Sequence, residues 1–240
     1  MIKAISKMDI KNKQPDLLYM QPILVTSGGN ANKDFFIPQE LFAALKTPLY
    51  KPVDWEHHAD EDDDKTEIIG TIIDSWFEDL EGEKLKAEKF EDMPTEFNLV
   101  TNAAIWRYLF QTRAEEIEKR FEDDDLFVSM EAWFLDYDYV IKEGKEFKVV
   151  KRNKSTAVLD KYLLSNGGNG NINGKELYRA PRNIIFGGMG IVKNPANKRS
   201  EVKEIAAKSN KMVDTIVSTI VLPVKKLPNA TRLLEKILFD

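Results

Sequence analysis

Short runs dense in β-branched and aromatic residues, several of them bounded by glycine, proline or asparagine turns, recur along this chain and demand a fold in which strands do much of the packing. The densest is Glu67 to Phe77, with Ile68, Ile69, Thr71, Ile72 and Ile73, and Leu85 to Phe90 reads as its hairpin partner across Glu81-Gly82-Glu83. Leu17 to Ile37 reads as extended segments around a Ser27-Gly28-Gly29-Asn30 turn, Lys51 to Glu56 as a short extended stretch, and Leu126 to Phe134 as a further strand. Asp136 to Val140 and Glu146 to Val150 flank Glu143-Gly144-Lys145 as a second hairpin. Asn183 to Val192 is a strand punctuated by Gly187, Gly188 and Gly190, where backbone must approach something closely.

Helical signals are fewer. Pro38 to Leu45 reads as a short helix opened by its proline. Between residues 95 and 121 the period changes: Leu99, Asn102, Ala103, Trp106, Leu109, Phe110, Arg113, Ile117 and Phe121 recur at three or four, which predicts the longest helix of the globular part. Asn166 to Asn171 is too glycine-rich for a regular element. Strands and helices alternating this irregularly indicate an α+β domain. Past Pro195 the chain becomes highly charged, and Pro223 and Pro228 cut its end into short helical pieces. A boundary near residue 200 therefore divides a domain over 1–200 from a charged, helical C-terminal tail over 201–240.

The chain has 240 residues, 42% of them hydrophobic, enough for the core of one domain with an appendage. Its net charge of −5 leaves no basic excess to release counterions from nucleic acid or to hold an anionic membrane, so neither is an expected partner. There is no cysteine, which removes disulfides, thiolate metal sites and cysteine nucleophiles together. The N-terminus lacks the apolar core of a secretory signal, and Thr215 to Val224 is too short to span a bilayer.

The only two histidines are the adjacent His57 and His58. A zinc site would need carboxylates for its other ligands, and Asp60 to Asp64 lacks the glycine and terminal glutamate of a calcium loop, so no metal and no cofactor are expected. On composition alone the pair reads as surface residues or a weak metal-binding patch. A serine becomes a nucleophile when an imidazole within hydrogen-bond reach takes its proton. Ser129 sits inside a strand-like run and not in a Gly-x-Ser-x-Gly elbow, so the α/β-hydrolase reading fails, and alone Ser129 is simply a small residue of a strand.

Four segments in order change that weighting: Lys51-Pro52-Val53-Asp54-Trp55-Glu56-His57, Ile68-Ile69-Gly70-Thr71-Ile72, Phe127-Val128-Ser129-Met130-Glu131, and Phe186 to Asn197 with its closing Pro195-Ala196-Asn197. Together they resemble the phage prohead (capsid maturation) serine proteases, a family similar in fold to the herpesvirus assembly proteases. The resemblance covers roughly residues 15 to 200. It implies a mainly antiparallel β-barrel surrounded by helices, with His57 as general base and Ser129 as nucleophile. It also implies the scaffold and the major capsid precursor as substrates and partners, with the protease itself among them, inside a prohead assembling in the host cytoplasm. The herpesvirus enzymes use a second distant histidine, which this chain lacks, and other phage relatives carry an acid near the late strand where this chain has Gly188 or Gly190.

Glu131 is the first candidate for the third catalytic member, because residues i and i+2 of a strand share a face and its carboxylate then lies beside Ser129. Asp160 is the second. Backbone amides at Gly187 and Gly188 are candidates for the oxyanion hole, since glycine lets main chain approach a tetrahedral intermediate. Arg179 and Arg182 are looser candidates. The alternative function is a catalytically inactive, protease-like structural or scaffold protein of the capsid, and a metal-binding regulatory protein using His57, His58 and the acidic loop is a further one.

Overall fold

The structure is a computed structural model that describes residues 14, 16–56, 67–144 and 146–207. The chain enters on β1 (Leu18–Thr26) and folds β2 (Gly28–Gly29) against β3 (Phe35–Phe36) as a small ribbon, its first turn made by Gly28 at φ +102°. Helix α1 (Pro38–Ala43) starts on its proline, whose missing N–H costs nothing in the first helical turn. Then come β4 (Pro52–Trp55), β5 (Ile68–Glu78), β6 (Asn98–Ile105), α2 (Gln111–Glu122) and β7 (Phe127–Trp133). The hairpin of β8 (Asp136–Glu143) and β9 (Glu146–Val150) leads to β10 (Asn171–Ile172), β11 (Lys175–Arg182), β12 (Ile185–Val192) and β13 (Val202–Ala207).

The main sheet has the order β13-β1-β6-β5-β4-β12-β7 and is antiparallel except where β4 runs parallel to β12. It curls into a half-barrel that does not close. Its two edge strands meet only at one end, through a bridge between Phe127 and Glu201, with the Val128 N–H on Ser200 O at 2.9 Å and the Val202 N–H on Leu126 O at 3.1 Å. A second sheet, β10-β11-β8-β9, packs its own cluster of Tyr139, Leu163 and Leu177.

Inside the curl, Leu18, Leu24, Val53, Ile69, Leu99, Ile105, Val128, Met189 and Ile191 are almost fully buried, and α2 lays Ala114, Ile117 and Phe121 onto the same core. Burying each such aliphatic or aromatic side chain contributes about 1.5–3 kcal/mol, so the half-barrel is a rigid platform for whatever its strands present. The result is an α+β protein made mostly of strands with few helices, as the residue pattern implies. Among the described residues no helix is long and apolar enough to cross a membrane.

Three local expectations are corrected. The long helix expected over 95–121 is two elements, because Asn98–Ile105 is strand β6 and only Gln111–Glu122 is helical. Strand β6 lies between β1 and β5 with both faces covered, so Leu99, Val100, Ala103, Ala104 and Ile105 are all buried. Burial on both sides erases the alternation that marks a strand, and the leftover apolar spacing imitates a helix. Leu85 to Phe90 pairs with β5 only at its start, through the Glu78–Lys84 bridge and the Leu85 N–H on Phe77 O, and then turns into a 3-10 segment at Phe90–Asp92. The main sheet also runs past the expected boundary near residue 200, since Val202–Ala207 pairs along β1. Residues 208–240 lie outside the described residues.

Candidate functional site

Strands β4, β12 and β7 lie side by side, and their register sets the site. Ser129 pairs with Gly190, which pairs in turn with Asp54, and Glu131 pairs with Gly188. The alternate residues Val53, Val128, Met189 and Ile191 point into the core, so Ser129, Glu131 and Asp54 share the opposite face. Ser129 and Glu131 are half-buried, and Asp54 is 2% exposed. Gly188 and Gly190 put no side chain between the acid on β4 and the serine and acid on β7, whose strands stand roughly 10 Å apart by ordinary sheet spacing.

Gly188 is sterically required. A Cβ there would lie 2.9 Å from the Glu131 Oε2 and 2.9 Å from the Pro52 carbonyl oxygen, with the Pro52 ring at 3.2 Å. The Glu131 carboxylate thus lies over the β12 backbone, in the space a side chain on Gly188 would take. Between Phe186 and Gly188 the register slips, which makes Gly187 a bulge residue, and a Cβ on Gly187 would touch the Trp133 indole at 3.4 Å. Bulges re-aim side chains and peptide groups at the rims of barrels.

The chain leaves β4 at Glu56, a non-glycine residue at φ +62° whose N–H still bonds the Ile191 carbonyl at 3.1 Å. A left-handed conformation there costs about 1–2 kcal/mol. The two ends of the 57–66 segment are held together, since the Trp55 N–H bonds Glu67 O at 3.1 Å and Arg113 both stacks over the Trp55 ring at 4.4 Å and bonds the Glu67 carboxylate at 2.8 Å. His57, His58 and the acidic run Asp60 to Asp64 lie outside the described residues.

Of the sequence candidates, the fold brings together Ser129, Glu131, Gly187 and Gly188. Asp160 belongs to another cluster. Its carboxylate accepts hydrogen bonds from Tyr139 at 2.7 Å, from Tyr137 at 2.8 Å and from the Arg152 Nη2 at 2.9 Å, all groups of the second sheet and its margin. The Arg152 hydrogen bond, joined by the two phenols, holds the Asp160 carboxyl down at about 2. Burial and then the hydrogen bond to Asp160 push the Tyr139 phenol up to about 12. Arg179 is paired with Asp34 at 2.7 Å, and Arg182 with Glu40 at 3.3 Å and Asp138 at 3.6 Å.

Asp54 is the residue that sequence reasoning missed. Its place between two core residues, Val53 and Trp55, looks like an ordinary outward polar position of an edge strand. Only the parallel pairing of β4 with β12, more than a hundred residues away in sequence, buries it beside Gly190. Among the described residues no three histidine, aspartate or glutamate side chains converge as a metal site would require.

A serine hydroxyl beside a carboxylate on one strand face can use an imidazole placed between them, the carboxylate orienting the ring and the ring taking the hydroxyl proton. No family model, curated protein or solved structure matches this chain.

Proposed function

We propose that this chain is a serine endopeptidase of the phage prohead type, which cuts scaffold and major capsid precursor proteins, and itself, inside an assembling head in the host cytoplasm. Ser129 is the nucleophile, His57 the general base and Glu131 the carboxylate that orients the imidazole. The observation that supports this best is the Glu131 Oε2 lying 2.9 Å from where a side chain on Gly188 would begin. Other phage relatives in the family that the sequence resembles carry an acid near the late strand, where this chain has Gly188 or Gly190. Here the neighbouring strand delivers a carboxylate to that space, which weighs against reading the glycines as the mark of an inactive structural protein. On this reading the half-barrel corresponds to the barrel of those enzymes.

In the reaction, His57 takes the Ser129 proton as Oγ attacks the scissile carbonyl. Backbone N–H groups at Gly187 and Gly188 receive the oxyanion. The tetrahedral intermediate collapses to an acyl-enzyme as His57 gives its proton to the leaving amine, and water then attacks with the same base assisting. The segment joining β4 to β5 begins at Glu56, which is hydrogen-bonded to β12 at Ile191, one residue along from the partner of Ser129.

The test is co-expression of the chain with candidate scaffold and capsid precursors, read by intact mass. Cleavage in the wild type that disappears in Ser129→Ala and in His57→Ala is the expected result. Identical uncut masses for wild type and Ser129→Ala, with substrates that another source of the protease does cut, would leave the noncatalytic capsid protein as the better reading.

A further inference from the structure

Two motifs that stand out in the sequence, Ser27-Gly28-Gly29-Asn30 and Pro195-Ala196-Asn197, have no part in the chemistry above, yet the fold joins them. The Ala31 N–H bonds Ala196 O at 3.0 Å. The Asn197 side chain donates to Ser200 Oγ at 2.9 Å and to Thr26 Oγ1 at 3.3 Å, and its Oδ1 accepts the Arg199 N–H at 3.2 Å. These bonds pin one side of a cavity of about 760 Å³ that opens between the end of β1 and the tip of the β8–β9 hairpin. Its other side is aromatic: Phe147 is 47% exposed, with its ring centroid 4.8 Å from that of Phe35.

Lys142, Lys198 and Arg199 stand around this cavity, against Glu96 as the one carboxylate among the described lining residues. Lys198 and Arg199 form no ion pair with a described residue, whereas Lys142 stands opposite Glu176 in the β8–β11 register. In a chain of net charge −5 this is a local reversal of sign. Lys198 and Arg199, adjacent in the chain, repel one another, and an anionic ligand removes that repulsion. The volume is that of a site for an extended ligand and exceeds what one small inorganic anion fills. An exposed phenylalanine offers such an anion nothing, whereas it gives an apolar side chain a surface to pack on. The overall negative charge opposes a nucleic-acid backbone, which needs a broad basic surface.

We propose that this cavity binds an acidic polypeptide segment, its carboxylates meeting Lys142, Lys198 and Arg199 and an aromatic or aliphatic residue among them packing on Phe147. Asn197 is then a positioning residue, fixing the loop from which Lys198 and Arg199 project. This inference does not depend on the chemistry assigned to Ser129.

The test is fluorescence anisotropy of the full chain with a labelled octapeptide of six glutamates interrupted by one phenylalanine and one leucine. Saturable binding is expected, weakening steeply between about 50 mM and about 0.5 M salt. Lys142→Glu, the Lys198→Glu/Arg199→Glu double variant and Phe147→Ala should each weaken it by about tenfold or more. Lys148→Glu makes the same charge change on exposed β9, outside the cavity, and should leave binding as in the wild type. Four results would overturn the proposal: no saturable binding by the wild type, equal binding of a peptide with lysine in place of glutamate, variants at the cavity that bind as well as wild type, or equally effective displacement by inorganic phosphate or oligothymidylate. The salt, lysine-peptide and displacement arms use only wild-type protein, so they decide the matter even if a variant folds poorly.

Discussion

Replacing Asp160 by asparagine separates a fold-stabilising carboxylate from a catalytic one. In the folded chain the Asp160 carboxyl is held at about 2 against an ordinary 3.8, first by the Arg152 hydrogen bond and then by the two tyrosine hydroxyls. Each pH unit of displacement corresponds to about 1.4 kcal/mol, which sets a ceiling of about 2–3 kcal/mol at neutral pH. The Asp160 side chain is 26% exposed and its Arg152 partner 36%, so solvent screening brings the expected loss in Asp160→Asn to about 1 kcal/mol. The sign follows from the depressed value. The stabilisation is fully present well above pH 3.8 and is lost as the pH falls through that value towards 2. Urea unfolding of both proteins from pH 7 downwards should therefore show a gap of about 1 kcal/mol that is constant near neutrality and narrows below about pH 5. Precursor processing by the folded variant should match wild type. A gap of zero at pH 7, or one that stays the same down to pH 3, would refute the electrostatic account. Loss of processing with stability intact would move Asp160 into the catalytic machinery.

Four further outcomes follow from the same geometry. Glu131→Gln keeps the shape over Gly188 but removes the charge, and is expected to slow precursor cleavage by at least about a hundredfold while leaving the thermal midpoint near wild type; unchanged cleavage would remove Glu131 from the site. Gly188→Ala forces a Cβ against the Glu131 carboxylate and the Pro52 carbonyl, and should cost about 1–3 kcal/mol of stability as well as activity, measured by chemical denaturation beside the mass assay. Tyr50 is 81% exposed and held at φ +64° with its N–H on Ile72 O, so Tyr50→Gly should stabilise the protein by about 1 kcal/mol, and a fall in thermal midpoint would contradict this. The Tyr139 phenol, raised to about 12 by burial and then by Asp160, favours the fold in its neutral form. Stability should thus be lost as pH rises from 10 through 12, and Tyr139→Phe should flatten that limb of the denaturation curve.

The elements legible in the sequence were those with a one-sided environment or a local turn. Proline opened α1 where expected, β8 and β9 paired as the expected hairpin up to Glu143 and Glu146, and the β-branched run from Ile68 became β5. The β6 strand was not legible, because two covered faces leave no alternation to read. In the candidate site, the shared face of Ser129 and Glu131 followed from strand periodicity alone, and the glycines within Phe186 to Val192 marked a close backbone approach. The sequence also marked Pro195-Ala196-Asn197 and the Ser27 to Asn30 turn without indicating that they meet.

Local chain chemistry by itself determined the strand-rich composition of the fold, the absence of cysteine chemistry, and the pairing of a serine with a carboxylate two residues on. Period and turn preference are properties of neighbouring residues, which is why they can be read in order along the chain. Tertiary structure decided the rest: that β4 runs parallel to β12 and buries Asp54, that the Glu131 carboxylate fills the space above Gly188, and that Lys142, Lys198 and Arg199 gather around one cavity. Each of these depends on strand order and register between segments far apart in sequence. Order and register are chosen by the packing of the whole core, and no local pattern encodes that choice.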